Sequence, residues 1–185
     1  RAFDVVLAAI LLVALALPMA IVAVLVKATS PGPALYSQLR VGLLEREFRI
    51  YKFRSMAADA EKTSGAVLAV KNDDRVTKLG RFMRATRLDE LPQLWNILKG
   101  DMSFVGPRPE RPMFVSEFKY QIDGYSERHR VRPGVTGLAQ VSGSYVTSPE
   151  VKLKYDLAYI SNQNVFFDAQ ILFRTLKTVF TRSGC

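Results

Sequence analysis

The most hydrophobic part of the chain is its N-terminal region, where every residue from Val5 to Val26 is uncharged. At about 1.5 Å of rise per residue, a straight helix over this run would reach about 33 Å, close to the thickness of a bilayer's hydrocarbon core. Pro18 removes a backbone hydrogen bond and crowds the preceding turn, so we expect a kink near it. The run predicts a membrane segment that either crosses the bilayer or bends back.

Two other interpretations of this run are weaker. A signal peptide has a shorter apolar core, and a small-residue cleavage site would follow it. A buried core helix of this length is rarely apolar on all sides. Pro31, Gly32 and Pro33 then break any helix and indicate where the chain leaves the membrane. We therefore predict a membrane-embedded part over residues 1–28 and a second part over residues 29–185.

The second part has mixed patterning. "EFRIYKFRSM" alternates apolar and basic residues imperfectly and predicts a short strand or hairpin arm, whereas residues 57–74 predict a polar loop. From Asp74 to Arg87 the apolar residues recur at helical spacing, with basic residues three apart. This basic amphipathic helix either packs its apolar face on the core or lies on anionic headgroups.

Helical patterns continue towards the C-terminus. "ELPQLWNILKG" predicts a helix ending at Gly100, whose residue type suits a left-handed stop. A polar helix is expected near residues 113–127, and two more over 148–180, joined around Asn162 and Asn164. The predicted class is α+β, mainly helical with a small β-sheet or hairpin.

Charge narrows the choice of partners. The 185 residues carry a formal net charge of +9, which favours nucleic acid, anionic lipid or phosphorylated small molecules. Cys185 is the single cysteine, so the chain has no internal disulfide and no cysteine-based metal site; a reducing, cytoplasm-facing compartment fits. Because the chain starts at Arg1 and not at methionine, we expect it to come from a longer polypeptide.

Asp89 and Glu90 stand side by side in "RLDELPQLWNILKGD" and have two interpretations. In the first they only begin a helix, because Asp is a favoured N-cap, acids suit the first turn and Pro92 is tolerated there. In the second they do chemistry, because a helix N-terminus behind a row of cations suits phosphate. A carboxylate in that setting can bind Mg²⁺ or attack phosphorus.

Several basic residues are candidate phosphate ligands. Arg108 lies between two prolines in "GPRP", which restrict its backbone and favour a fixed guanidinium fork; capping a neighbouring carbonyl is the equal alternative. Arg128, Arg130 and Arg132 alternate and would share one face of an extended segment, towards substrate or water. His129 is the single histidine and is no obvious metal ligand.

With these motifs in this order, the chain resembles the bacterial sugar transferases, the monotopic phosphoglycosyl transferases that start glycan assembly on a polyprenyl phosphate. The resemblance covers nearly the whole chain and rests on five blocks: "SPGPALYSQLRVG", "FRIYKFRSM", "RATRLDELPQLWNILKGDMSFVGPRP", "RVRPGVTGLAQVSG" and "YDLAYISNQNVFFDAQILFRTLKTVF". Each block alone is modest, and their order and spacing are specific.

The resemblance implies an enzyme that moves a sugar 1-phosphate from a UDP-sugar to undecaprenyl phosphate, releases UMP and requires Mg²⁺. Asp89 would be the nucleophile that forms a covalent phosphosugar, and Glu90 would assist with the metal or the acceptor. Asp168 matches a recurring acid and joins Asp89 and Glu90 as a candidate metal ligand. The candidate phosphate and nucleotide ligands are Arg108, Arg84, Arg87, Lys52, Arg54 and Arg132.

The same resemblance implies a location and an architecture. The apolar segment would be a re-entrant helix–break–helix with Pro18 at the break, accompanied by interfacial amphipathic helices. Residues 29–185 would face the cytoplasm at the inner membrane of a bacterium, with membrane lipid and a possible homodimer as further partners and no nucleic acid. Two rivals stay open: a non-catalytic basic adaptor on the membrane surface, and a single-pass anchor with its soluble domain outside. Glucose, galactose and N-acetylated hexosamines all fit as the sugar.

Overall fold

The N-terminal run forms two helices in the computed structural model, which describes residues 1–57, 60, 73–143 and 147–181. Helix α1 spans Ala2–Ala14 and helix α2 spans Ala16–Thr29, with a bend of 62° between them. Within the described ranges no single helix has the length and apolarity to cross a membrane. The bent pair meets both criteria when its two helices are taken together.

The break between these helices lies at Leu15, so its expected position at Pro18 was wrong by three residues. Pro18 stands in the first turn of α2, where a missing N–H is tolerated. A proline disturbs a helix at the carbonyl four residues earlier, which is that of Ala14, the last residue of α1. The proline therefore predicted the break, but the break lies one turn before it.

Both helices pack on the rest of the chain. Ala8 of α1 is buried against Ile50, Leu94 and Ile97, and Val26 of α2 is buried with other apolar residues from later in the sequence. The opposite sides of the two helices leave large apolar side chains exposed, and these are Phe3, Val6, Ile10, Val13, Leu17, Ile21, Val24 and Leu25. Two hydrophobic clusters thus contain residues from both sides of residue 28. The domain boundary at this position stays a prediction.

The predicted hairpin is confirmed. Strands β1 (Leu35–Val41) and β2 (Glu47–Phe53) pair antiparallel, with Leu35 opposite Phe53 and Val41 opposite Glu47. A short 3₁₀ turn, Leu43–Glu45, joins them. The polar loop predicted for residues 57–74 falls largely outside the described residues.

The basic helix is shorter than predicted: α3 spans Lys78–Ala85. It begins at Thr77, whose hydroxyl accepts a hydrogen bond from the Gly80 amide at 2.9 Å. Gly80 is buried against the Ser55 carbonyl, and a Cβ at this position would collide with that backbone. The glycine therefore lets α3 approach the chain that leaves β2.

The acids lie between two helices. Leu88–Glu90 form a 3₁₀ turn, and helix α4 (Gln93–Lys99) follows, capped by Gly100 with φ 97° as predicted. The helix itself begins after Pro92, so Asp89 is not its N-cap.

The C-terminal half wraps around a small parallel sheet. Strands β3 (Ser103–Val105) and β4 (Gly134–Thr136) pair, and helix α5 (Pro112–Gln121) and a 3₁₀ segment (Tyr125–Arg130) lie between them in sequence. The remaining helices are α6 (Leu138–Ser142), α7 (Pro149–Asn162) and α8 (Val165–Thr181).

Two predictions about this half are tested. The junction between the last two helices lies at Gln163 and Asn164, as expected. Arg128, Arg130 and Arg132 were expected to share one face if their segment were extended. The first two lie instead in the 3₁₀ segment, and the three side chains have different partners. The fold is mainly helical with two small two-stranded sheets, which confirms the α+β class.

Candidate active site

Asp89 and Glu90 are carried into the interior by a tight turn. Arg87, directly before them, adopts a left-handed backbone with φ 58°, which ends α3 and reverses the chain. A non-glycine residue in this region is held there by its surroundings at some energetic cost. Asp89 and Glu90 are only 6% and 7% exposed. Two adjacent buried acids are far from the solvated helix start that the simpler interpretation expected.

Glu90 is surrounded by the cations Lys52, Arg87 and Arg108. We call these four residues the Glu90 cluster. Its Oε1 accepts hydrogen bonds from Lys52 Nζ at 2.8 Å and Arg108 Nη2 at 2.7 Å, and Arg87 Nη1 lies 3.9 Å away. Burial raises the pKa of Glu90, but the charges of Arg108 and Lys52 outweigh burial and hold it well below its ordinary value. Glu90 is therefore an anion at neutral pH.

The backbone fixes where these cations point. Lys52 lies on β2, opposite Tyr36 in the hairpin register. Arg108 follows β3, where Gly134 N–H donates to the Pro107 carbonyl at 3.0 Å. Gly134 carries no Cβ, which leaves room for the close approach to Gly106. The parallel strand pair thus positions the proline-flanked arginine.

Asp89 has the opposite environment. Its Oδ1 is buried and has no hydrogen-bond partner among the described residues. Burial and the negative charge of Glu90 raise the pKa of Asp89, against the lowering effect of Lys52 and Arg84. Arg84 is itself held by Ser55, whose Oγ accepts from Arg84 Nε at 2.9 Å. An unpartnered buried carboxylate oxygen is costly and commonly marks a functional group.

The structure therefore brings together most of the predicted site residues: Asp89, Glu90, Lys52, Arg87 and Arg108, with Arg84 near enough to act through its charge. It gives three others different partners. Arg54 donates to the carbonyls of Ser30 and Pro31, which ties the segment after α2 to the hairpin. Arg132 Nε donates to the Gly100 carbonyl at 3.0 Å, and Asp168 accepts from the Tyr159 hydroxyl at 2.8 Å. The substrate roles of these three residues remain predictions.

The predicted metal set is not gathered. In the described ranges, no group of three or more His, Cys, Asp or Glu side chains is arranged to hold a metal ion. Mg²⁺ is often bound through one or two carboxylates together with substrate phosphates. The unpartnered Oδ1 of Asp89 beside Glu90 fits that kind of site, whereas Asp168 on α8 hydrogen-bonds Tyr159.

A second buried cluster of charged side chains was not predicted from the sequence. In the Arg128 cluster (Arg128, Asp156 and Tyr125), Arg128 Nε donates a hydrogen bond to Asp156 Oδ2 at 2.9 Å, and Arg128 Nη2 forms an ion pair with the same oxygen at 2.7 Å. Arg128 also donates to the Tyr125 hydroxyl and to the Arg108 carbonyl, at 2.8 and 2.9 Å. It therefore supports the backbone that presents Arg108. An acid among the apolar residues of "YDLAYI" was the available signal.

A pocket of about 220 Å³ opens beside the Glu90 cluster. Arg87, Glu90 and Arg108 lie at its polar side, and Leu11 of α1 and Leu15 at the break between α1 and α2 contribute to its apolar side. Sequence patterning gave no sign that the N-terminal apolar helices would reach the pocket beside Glu90.

Comparison with known proteins identifies the family of this chain and several relatives. The family model for the bacterial sugar transferases matches residues 1–182. The chain is 45% identical over its full length to a UDP-N-acetylgalactosamine-undecaprenyl-phosphate N-acetylgalactosaminephosphotransferase of Aeromonas hydrophila, of which it covers 44%. It is 41% identical, over 95% of its length, to a UDP-glucose:undecaprenyl-phosphate glucose-1-phosphate transferase of Escherichia coli K12, of which it covers 39%.

A shorter relative matches nearly end to end. The exopolysaccharide production protein PSS of Rhizobium leguminosarum bv. phaseoli is 40% identical over 98% of this chain and 95% of its own length. The chain thus spans less than half of the Aeromonas and Escherichia relatives and almost all of the Rhizobium one. The chain belongs to the bacterial sugar transferase family.

Proposed function

We propose that the chain transfers a sugar 1-phosphate from a UDP-sugar to undecaprenyl phosphate and releases UMP, as the first membrane step of glycan assembly. The names of the Aeromonas and Escherichia relatives support the substrates. The observation that carries the proposal is the buried Oδ1 of Asp89, which has no hydrogen-bond partner within the described ranges and stands next to a carboxylate held by cations. The Glu90 cluster with Asp89 has three cations and two carboxylates, so it suits an anionic substrate.

In the first step, an Asp89 carboxylate oxygen attacks the β-phosphorus of the UDP-sugar. A phosphorus–oxygen bond to Asp89 forms, and the bond from that phosphorus to the bridging oxygen breaks. UMP leaves with the electron pair of this bond, so no general base is needed to activate the carboxylate. Lys52, Arg84 and Arg108 lie close enough to Asp89 to offset the charge of the diphosphate.

In the second step, a phosphate oxygen of undecaprenyl phosphate attacks the phosphorus of the covalent phosphosugar. The new diphosphate bond forms as the bond to Asp89 breaks, which regenerates the carboxylate. Glu90 keeps Lys52 and Arg108 in position during both steps through its short hydrogen bonds. The donor product leaves before the acceptor reacts, which makes the sequence ping-pong.

Mg²⁺ is the metal we propose for this site, held by Asp89 and Glu90 together with substrate phosphate oxygens. When bound, it offsets the negative charge of the diphosphate and of the leaving UMP. Because Glu90 also keeps its hydrogen bonds to Lys52 and Arg108, Asp89 and Glu90 would supply only a few of the Mg²⁺ ligands. The substrate would supply the others.

The location we propose is the cytoplasmic face of a bacterial inner membrane. A re-entrant α1–α2 pair would enter and leave on that face, and its exposed apolar side chains would contact lipid. Exposed Phe82 of α3 and Phe166 and Phe173 of α8 are candidate interfacial contacts. The sugar remains open, because the relatives' names include both N-acetylgalactosamine and glucose.

The test is UMP release from a panel of UDP-sugars by the full chain in membranes or detergent, with undecaprenyl phosphate and Mg²⁺. We expect one or a few UDP-sugars to be turned over and Asp89→Asn to abolish UMP release. Asp123→Asn is the matched control, because this exposed acid lies outside the cluster. A basic adaptor without catalytic activity would release no UMP, and its binding to anionic vesicles would ignore Asp89 and fall steeply with salt.

A further inference from the structure

The pocket beside the Glu90 cluster is enclosed by parts of the chain that lie far apart in sequence. Its apolar wall includes Leu11, Leu15, Leu91, Leu94, Phe104 and Val141. These residues come from the last turn of α1 and the break after it, the residue after the 3₁₀ turn Leu88–Glu90, helix α4, strand β3 and helix α6. The wall thus joins the break in the membrane helix pair directly to the acidic turn.

The polar side of the pocket is cationic. Arg87 and Arg108 have side chains that are 39% and 37% exposed, so part of each guanidinium is open to a ligand. Glu90 also lines the pocket, but Lys52 already bonds its Oε1 from outside the pocket lining. The two arginines therefore provide a positive charge that Glu90 does not fully neutralise.

The far side of the pocket carries uncharged polar side chains. Gln140 Nε2 donates to the Val135 carbonyl, and Gln140 Oε1 has no hydrogen-bond partner among the described residues. The hydroxyls of Thr136 and Thr175 lie 2.7 Å apart and hydrogen-bond each other. The pocket thus combines one anion-binding side with an apolar wall that begins at the membrane segment. A nucleotide base and ribose would leave polar groups unpaired against that wall.

We propose that this pocket binds the acceptor, a prenyl phosphate, with its phosphate on Arg87 and Arg108 and its first isoprene units along Leu15, Leu91 and Val141. The inference rests on the proposed function and goes beyond it by separating the two substrates. Asp89 does not line the pocket. The acceptor phosphate therefore approaches Asp89 and Glu90 from the Glu90 side, and Arg108 serves the donor diphosphate in the first step and the acceptor phosphate in the second.

The experiment measures the two half-reactions separately, with the full chain in detergent. Covalent loading is followed as the UMP burst with UDP-sugar alone, and transfer as the loss of preloaded phosphosugar at increasing undecaprenyl phosphate. Leu15→Trp and Val141→Trp narrow the pocket from two different elements, so one serves if the other folds poorly. Val13→Trp is the matched control, because Val13 lies two residues before Leu15, in the last turn of α1, and is 80% exposed.

For the pocket variants we expect the acceptor concentration at half-maximal transfer to rise by about tenfold or more, with much smaller changes in loading. Val13→Trp should resemble the wild type in both. Geranyl phosphate should slow transfer competitively, whereas inorganic phosphate at the same concentration should not, because it lacks the apolar chain. Unchanged transfer in both folded variants would overturn the acceptor pocket and leave the function intact. Absence of a UMP burst in the wild type would instead overturn the proposed function.

Discussion

The Glu90 cluster and the Arg128 cluster are both buried groups of charged side chains, and they differ in balance. In the Arg128 cluster one arginine meets one carboxylate through a hydrogen bond and an ion pair, and it also donates to a hydroxyl and a backbone carbonyl. In the Glu90 cluster three cations converge on one carboxylate oxygen, and the neighbouring Asp89 Oδ1 has no hydrogen-bond partner in the part of the chain that the structure describes.

This difference in charge balance indicates a structural role for the Arg128 cluster and a catalytic role for the Glu90 cluster. A closed, neutral ion pair fixes the backbone, and it has no capacity left for a ligand. A cluster with excess positive charge can still attract an anionic ligand, and a buried carboxylate oxygen without a partner can still accept a metal ion or attack an electrophile. Because Arg128 also donates a hydrogen bond to the Arg108 carbonyl, the Arg128 cluster holds part of the Glu90 cluster in place.

The largest effect is expected at Asp89. Asp89→Asn should lower turnover by about 10³-fold or more, because the variant lacks the nucleophile. The folded state raises the pKa of Asp89, so the native chain holds this proton more tightly than the unfolded chain. The unfolding free energy therefore falls as pH rises from the ordinary pKa of aspartic acid through the raised pKa of the folded state. The ionised Asp89 side chain consequently lowers stability at neutral pH.

Asp89→Asn should consequently melt no lower than the wild type at pH 7, which thermal unfolding in detergent can measure. Asp123→Asn again serves as the control for both activity and melting. A clearly lower melting temperature for Asp89→Asn would show that the carboxylate stabilises the fold, contrary to the comparison.

The Arg128 cluster should show the reverse behaviour. Asp156→Asn leaves a buried arginine without its counter-ion and should lower the unfolding free energy by about 3 kcal/mol. The double variant Arg128→Met with Asp156→Leu should lose less than the single variant, because it leaves no uncompensated charge. Denaturant unfolding measures both, and an equal or greater loss in the double variant would contradict a balanced pair.

An intermediate effect is expected for Glu90→Gln. The variant leaves Lys52, Arg87 and Arg108 to repel one another, but two of these side chains are over a third exposed, so we expect a loss of about 1–2 kcal/mol. The pKa of Glu90 is lowered in the folded state, so its stabilisation is present above the ordinary value and is lost as pH falls through the folded value. Acid titration of unfolding should therefore show a smaller decline for the variant. An identical decline in both proteins would argue against the cluster.

The smallest effect concerns His129, which borders the Arg128 cluster. Burial and the charge of Arg128 lower the pKa of His129 to about 4. The folded state thus disfavours the protonated ring, so unfolding free energy should fall as pH drops from about 6.5 towards 4. Turnover should show no separate step near pH 6.5 from this residue. His129→Gln should leave the pH profile of turnover unchanged between pH 6 and 8.

Local features of the fold could be predicted from the sequence. The apolar run, the strand around Ile50, the stop at Gly100 and the junction near Asn164 each depend on residues close in the chain. The break in the membrane segment was displaced because a proline disturbs the carbonyl four residues before it.

The site could be predicted only as a list of residue types. Asp89 and Glu90 stood out beside a basic helix, but their burial depends on the left-handed Arg87, which no local pattern indicates. The Lys52–Glu90 and Arg128–Asp156 pairs join residues 38 and 28 positions apart, and periodicity predicts a face but not a partner. The alternating arginines near residue 130 would share a face only in an extended segment, whereas the chain forms a 3₁₀ segment from Tyr125 to Arg130.

The central claim is that Asp89 becomes covalently attached to the phosphosugar. Its most direct test is mass spectrometry of the full chain after brief incubation with a UDP-sugar and Mg²⁺ without acceptor, followed by peptide mapping. We expect a mass increase equal to one sugar phosphate on the peptide that contains Asp89, lost on addition of undecaprenyl phosphate and absent from Asp89→Asn. Product formation by the wild type with no adduct at any time, or an adduct that persists in Asp89→Asn, would contradict the claim.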